Sequence, residues 1–189
     1  MPDTGHTASV TPPLRLHDSP LTGAELRSAV LDGEVVSVGS SYVCIDEPIG
    51  PRDRGASLAP ELSDSRAIVC DRTAAWVWGW CVAPSVIGTC VSIAARVASP
   101  TRRRLRTREA VIDESEVVHL DGVRVTTPLR TTVDLVRHDA NDDVVDIIVA
   151  ALASGDVCAR DLHDELQRRP GIAHQRRARA RLALAVSRC

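Results

Sequence analysis

At 189 residues the chain can form one or two domains with a sizeable core. It has no Phe, one Tyr and three Trp, so that core must be filled mainly by Val, Ala, Leu and Ile. All 23 basic residues are Arg, and with 25 acids they give a net charge of −2. The longest apolar runs are too short to span a bilayer and no basic-then-apolar leader follows Met1, so a cytoplasmic protein without membrane partners is expected.

The charge is uneven. Residues 1–95 hold 6 Arg against 11 acids, and residues 96–189 hold 17 Arg against 14, so a nucleic-acid partner is expected to meet the second half. Cys44, Cys70, Cys81, Cys90, Cys158 and Cys189 show no C-x-x-C spacing. That argues against a metal site and predicts scattered, reduced thiols.

In chain order, residues 1–20 carry Pro12, Pro13 and Pro20 and read as an extended lead. Thr22 opens a helix over 23–31, with Glu25 completing a capping box and Leu21, Leu26 and Val30 on its apolar side. Alternation then predicts a hairpin of strands 35–38 and 42–45 around Gly39-Ser40-Ser41. A helix followed by a β-hairpin is the tail of a winged helix. Its leading helices are missing from the pattern, so 21–50 reads as a truncated winged-helix-like module; a helix beside a hairpin with no DNA role is the other reading. Residues 49–65 form a loop or partial helix.

Residues 67–70 read as a buried strand, and Asp71 as the cap of a helix over 72–78 ended by Gly79 or Trp80. Trp76, Trp78 and Trp80 form a packing wedge rather than a base-stacking platform, because no cation follows Arg72 in that segment. Residues 86–98 alternate like a strand. Arg102, Arg103, Arg104, Arg106 and Arg108 make the densest basic run of the chain. It is either a strand or loop lying along a phosphate backbone or a charged strand edge guarded against aggregation.

Residues 121–137 organise what remains. Asp121-Gly122 supplies a turn, and Val123 and Val125 alternate with Arg124 as a half-buried strand. Thr127 is placed as N-cap and Pro128 as first helical residue. Leu129, Val133 and Val136 then form an apolar stripe, with Leu135 beside it. Arg130 and Asp134, four apart, are expected to pair on the helix surface. Capping and packing are favoured over chemistry, since no base, nucleophile or metal-ligand partner is spaced to join them. Asn141-Asp142-Asp143 opens a helix that buries Val144, Val145, Ile148, Ala151 and Leu152 and stops at Gly155. A helix over 160–169 turns Leu162 and Leu166 inward. After Pro170-Gly171, a helix over 174–187 buries Ala178, Leu182, Ala185 and Val186 and fans out Arg176, Arg177, Arg179 and Arg181. This last pair reads as an αα-hairpin with a solvated basic face, ahead of a DNA-reading pair.

Three of these blocks carry a resemblance. The succession 21–27 to Tyr42-Val43, then 71–79 with Ala74, Ala75, Trp76 and Gly79, then 120–135 with Thr126, Thr127, Pro128, Arg130, Thr131, Asp134 and Leu135, resembles the AbiEi family of type IV antitoxins over roughly 20–186. The resemblance implies a winged-helix module on an α/β C-terminal domain. It also implies binding of double-stranded DNA at the protein's own promoter and neutralisation of a nucleotidyltransferase-like toxin. The Vsr-like endonuclease domain of many actinobacterial relatives is expected to be absent.

The expected fold is therefore α+β. A lead over 1–20 and the partial module over 21–50 precede a small mixed α/β domain over 66–189 that ends in a helical hairpin. The nucleic-acid contacts are assigned to Arg102, Arg103, Arg104, Arg106, Arg108, Arg176, Arg177, Arg179 and Arg181. The family-motif residues Trp76, Gly79, Thr127, Pro128, Arg130, Thr131 and Asp134 are assigned structural roles. The six His are scattered and no G-x-G-x-x-G or P-loop occurs, so neither catalysis nor a cofactor is expected. A protein-interaction scaffold that binds toxin or itself, without DNA, is the alternative.

Overall fold

The computed structural model describes residues 14–15 (backbone only), 20–62, 64–93, 105–168 and 174–189. Strand β1 (Leu14–Arg15) pairs antiparallel with a hairpin, giving the three-stranded order β1-β3-β2. The lead thus contributes a strand that its sequence did not signal. Helix α1 (Gly23–Leu31) begins as expected: the Thr22 hydroxyl accepts from the Glu25 N–H, and Glu25 accepts from the Thr22 N–H at 2.6 Å. Its buried side is Leu26 with Ala29, while Leu21 and Val30 are exposed. Strands β2 (Val35–Val38) and β3 (Ser41–Cys44) follow, joined by Gly39-Ser40.

The partial helix is the reading realised in 49–65. Helix α2 (Pro51–Ser57) has Pro at its first position, where a missing N–H costs nothing, and Asp53 accepts from the Gly50 N–H at 2.8 Å. Gly39 faces Ser57 and Trp76, so the hairpin turn rests on α2 and the tryptophan helix.

The larger sheet has the order β6-β5-β4-β8-β7 and is mixed. Its strands are β4 (Ile68–Val69), β5 (Ile87–Ser92), β6 (Leu105–Ala110), β7 (Val117–Leu120) and β8 (Val123–Thr126). β4 runs antiparallel to β5 and parallel to β8, β5 parallel to β6, and β7 antiparallel to β8. The strand expected over 86–98 is realised as β5; positions 94–98 lie outside the described residues. Helices α3 (Asp71–Trp78), α4 (Pro128–His138), α5 (Val144–Ala153), α6 (Ala159–Arg168) and α7 (Gln175–Val186) complete the fold, so the α+β class and the helical C-terminal end are as expected.

Two apolar clusters carry most of the core. In the first, Val69, Val123 and Val125 of the sheet pack with Ala74, Trp76 and Val77 of α3 and with Val38 and Val43 of the hairpin. The second is mainly helical: Val133 and Val136 of α4, Ile148 and Ala151 of α5, Leu162 and Leu166 of α6, Ala178 and Leu182 of α7, with Trp80 and Val157 from loops. Trp78 and Cys81 border both. Val186 was expected inside and is exposed.

The thiols divide by environment. Cys44, Cys158 and Cys189 are exposed, Cys70 and Cys90 are buried, and Cys81 is half-buried with burial pushing its pKa up to about 11. Because the thiolate is the reactive form, iodoacetamide at mildly alkaline pH should alkylate the three exposed cysteines quickly. The other three should react only in denaturant, as mass spectrometry would count. Fast modification of Cys70 or Cys90 in the native protein would contradict the packing of β4 on β5.

Candidate functional site

The site grows from the β7–β8 turn. Asp121 and Gly122 both have positive φ, 45° and 85°, the two-residue geometry that matches the twist of a hairpin. β8 buries Val123, Val125 and Thr126 and delivers the chain to α4. There the Thr127 hydroxyl accepts from the Arg130 N–H at 3.3 Å, and Pro128 opens the helix. The Thr126 and Thr131 hydroxyls bond each other at 2.7 Å, and the Thr126 carbonyl accepts from Trp78 Nε1 at 3.0 Å. Trp78, which is not itself a motif residue, thus joins the motif residues Thr126 and Thr131 at one strand–helix junction. Thr127→Ala should lower stability by about 1 kcal/mol, within the range for lost N-caps, as a shift in the urea midpoint. No shift would mean the 3.3 Å cap bond contributes nothing.

Arg130 and Asp134 do pair, yet not on the helix surface. Arg130 is 7% exposed and Asp134 1%. Arg130 Nε donates to Asp134 Oδ2 at 2.9 Å, and its Nη1 donates to Glu116 Oε2 at 2.6 Å and to the Val111 carbonyl at 3.1 Å. Arg108 of β6 reaches the same Asp134 oxygen at 2.9 Å and grips Asp71 with Nε and Nη2 at 3.1 and 3.0 Å. Five charged groups from α3, β6, α4 and the turn before β7 form one chain of ion pairs. Burial works against the charge on Arg108 and on Arg130. The carboxylates of Asp71 and Asp134 around the first, and of Asp134 and Glu116 around the second, outweigh it and raise both pKa values above the ordinary range.

Asp71 is not the cap that its position suggested. Cys70 is the N-cap without a side-chain bond, and Asp71 is the first helical residue with φ at 53°. That backbone aims its carboxylate at Arg108 instead of at the helix amides. Asp143 behaves alike: it caps α5 only by position and gives its carboxylate to Arg72. Arg72 also donates to Asp139 at 2.6 Å, tying the start of α3 to the α4–α5 junction. Trp76 is buried, and Gly79 ends α3 in the left-handed conformation at φ 91°, where a side chain would be strained. Trp80 is buried with its Nε1 on Asp156 at 3.0 Å, so the tryptophans pack.

The nine arginines assigned to nucleic acid fall in different places. Arg102, Arg103 and Arg104 lie outside the described residues. Arg106 is exposed on β6, an edge strand, while Arg108 belongs to the ion-pair chain. On α7, Arg176 is exposed, and Arg179 is exposed with a bond to Gln167 at 3.0 Å. Arg177 donates to the Arg137 carbonyl at 2.8 Å, and Arg181 to those of Val136, Asp139 and Asn141 at 3.3, 2.7 and 3.3 Å. These two cations close the C-terminal end of α4, where unpaired carbonyls favour positive charge.

The contributions of Asp71, Arg72, Arg108 and Glu116 were missed in sequence. The one available signal is strand alternation, which puts Arg106, Arg108 and Ala110 on a single face of β6, with Ala110 buried. Chemically the arrangement holds elements together, since each carboxylate of the chain accepts from a guanidinium. Among the described residues no group of three His, Cys, Asp or Glu side chains is placed to hold a metal ion. A cleft of about 280 Å³ opens beside the chain, bordered by Glu116, Thr127, Leu129, Arg130 and Glu165.

Comparison with known proteins adds the following. The family profile described as the AbiEi antitoxin C-terminal domain matches residues 67–184. No curated protein sequence matches. Among solved structures, the crystal structure of the RV2827C protein from Mycobacterium tuberculosis is similar at 14% identity and a TM-score of 0.48, over 94% of this chain and 72% of that one.

Proposed function

The chain belongs to the AbiEi antitoxin family, and from that premise we propose that it is a DNA-binding antitoxin that represses its own promoter and neutralises a nucleotidyltransferase-like toxin. The observation that favours DNA binding is the layout of residues 14–15 and 20–50. A capped helix lies beside an antiparallel sheet of order β1-β3-β2, burying only Leu26 and Ala29 and leaving Arg27 and Ser28 outward. A winged-helix-like module uses such a helix in the groove. Arg102, Arg103, Arg104, Arg106, Arg176 and Arg179 are the backbone contacts in this reading.

If each of those six neutralises one phosphate, the log of the binding constant should fall with the log of salt at a slope of about −5. Fluorescence anisotropy on the upstream duplex, against a scrambled one, measures it. Alanine at Arg106, Arg176 and Arg179 should flatten the slope by about half. An absent or salt-independent interaction sinks the proposal.

A protein-binding scaffold is the second reading. It is favoured by the commitment of the Arg108, Arg177 and Arg181 guanidiniums to acceptors within the protein. A complex with the toxin that persists in high salt without DNA would select it.

A further inference from the structure

We propose that the cleft between the 80–84 loop and the first turn of α5 docks a partner protein segment presenting an apolar side chain beside a cation. Its lining includes none of Arg106, Arg176 and Arg179, the described arginines proposed to contact DNA. The cleft measures about 340 Å³. Its floor is Trp80, Cys81 and Ile147, of which Trp80 and Ile147 are buried and Trp80 is fixed through Nε1 by Asp156. The Cys81 thiol, pushed to about 11 by burial, stays neutral, so the floor carries no charge at physiological pH. Val82 stands at the edge 87% exposed, with Pro84 beside it. Val82 thus extends the apolar floor to the edge of the cleft.

The rim determines what that partner carries. Asp143 and Asp146 line it together with Arg72, and Asp142 is exposed next to them. Arg72 is already shared between Asp139 and Asp143. Asp146 holds Arg188 at 2.9 Å, but these side chains are 75% and 49% exposed, and a pair so solvated is readily exchanged. The Asp142 carboxylate has no partner among the described residues. An acidic rim repels phosphates and accepts an incoming guanidinium or ammonium, while the floor takes a Leu- or Met-like side chain. The complement is a basic, apolar peptide segment and not a nucleic acid.

The test is selection of displayed random peptides on the full chain, with counter-selection on Val82→Asp. Val82 is exposed enough for that variant to fold, which its melting curve would verify. The expected consensus places Leu, Met or Phe next to Arg or Lys. A synthetic peptide of that consensus should bind about tenfold more weakly to Val82→Asp and to Asp146→Lys, and more weakly in high salt. No enrichment over the Val82→Asp variant, an acidic consensus, or affinity indifferent to Asp146→Lys would overturn the proposal. A dimer in sedimentation equilibrium that Val82→Asp dissolves would also overturn it, assigning the cleft to a second copy of the chain. DNA affinity should be unchanged in Val82→Asp, so failure here is distinguishable from failure of the promoter reading.

Discussion

Asp134→Ala should cost about 3–5 kcal/mol of folding stability, the loss expected when one member of a buried ion pair is removed and the other stays. Asp134 is 1% exposed and its Oδ2 takes bonds from both Arg130 and Arg108. Its removal leaves the 7%-exposed Arg130 short of a partner. Urea denaturation should show a lower midpoint at an unchanged slope. Two comparisons give the number meaning. Removing Arg130 and Asp134 together, as Met and Leu, should recover part of the loss, because no unpaired charge stays at their contact. Cutting the solvated Arg124–Glu114 pair at Glu114, whose side chain is 66% exposed, should cost under about 1 kcal/mol. A loss for Asp134→Ala as small as that would mean that solvent screens the chain of ion pairs throughout.

Ile148→Ala should destabilise by about 2–5 kcal/mol, the lost transfer energy plus a cavity that the neighbours cannot close. Ile148 is fully buried in the helical cluster, among residues contributed by α4, α5, α6 and α7. Leu184→Ala on α7 removes a comparable volume from a 44%-exposed position and should stay within about 0.5 kcal/mol. Calorimetry on the two variants separates the cases. Equal shifts would mean that the four helices are loosely packed.

What the sequence revealed was local. The Thr22–Glu25 box, the Thr127-Pro128 start, the Asp121-Gly122 turn and the Gly79 stop each involve residues within four positions of one another, and each sits where spacing put it. Leu162 and Leu166 were legible for the same reason. The ion-pair chain was not. Asp before a helix is most often a cap, yet Asp71 finds its partner 37 residues away in Arg108. Spacing gave the Arg130–Asp134 pair, but its burial depends on Glu116 and β6 closing over it. On α1 the inward face differs from the expected one: Leu26 packs with Ala29, while Leu21 and Val30 are exposed. The arginines of α7 looked like a solvent-facing fan, since nothing in their own helix reveals that α4 ends beneath Arg177 and Arg181.

The closure of α4 by Arg177 and Arg181 has a consequence for how the protein is made. The carbonyls of Val136, Arg137 and Asp139 wait for donors that lie some forty residues later in the chain. On a ribosome, α4 and its family motif emerge well before α7, with the end of the helix still hydrated and the apolar faces of α4 and α5 uncovered. Assembly of the helical half therefore waits until α7 has been made. A chain released before position 181 would carry the whole family motif yet lack the two side chains that hold its helix closed.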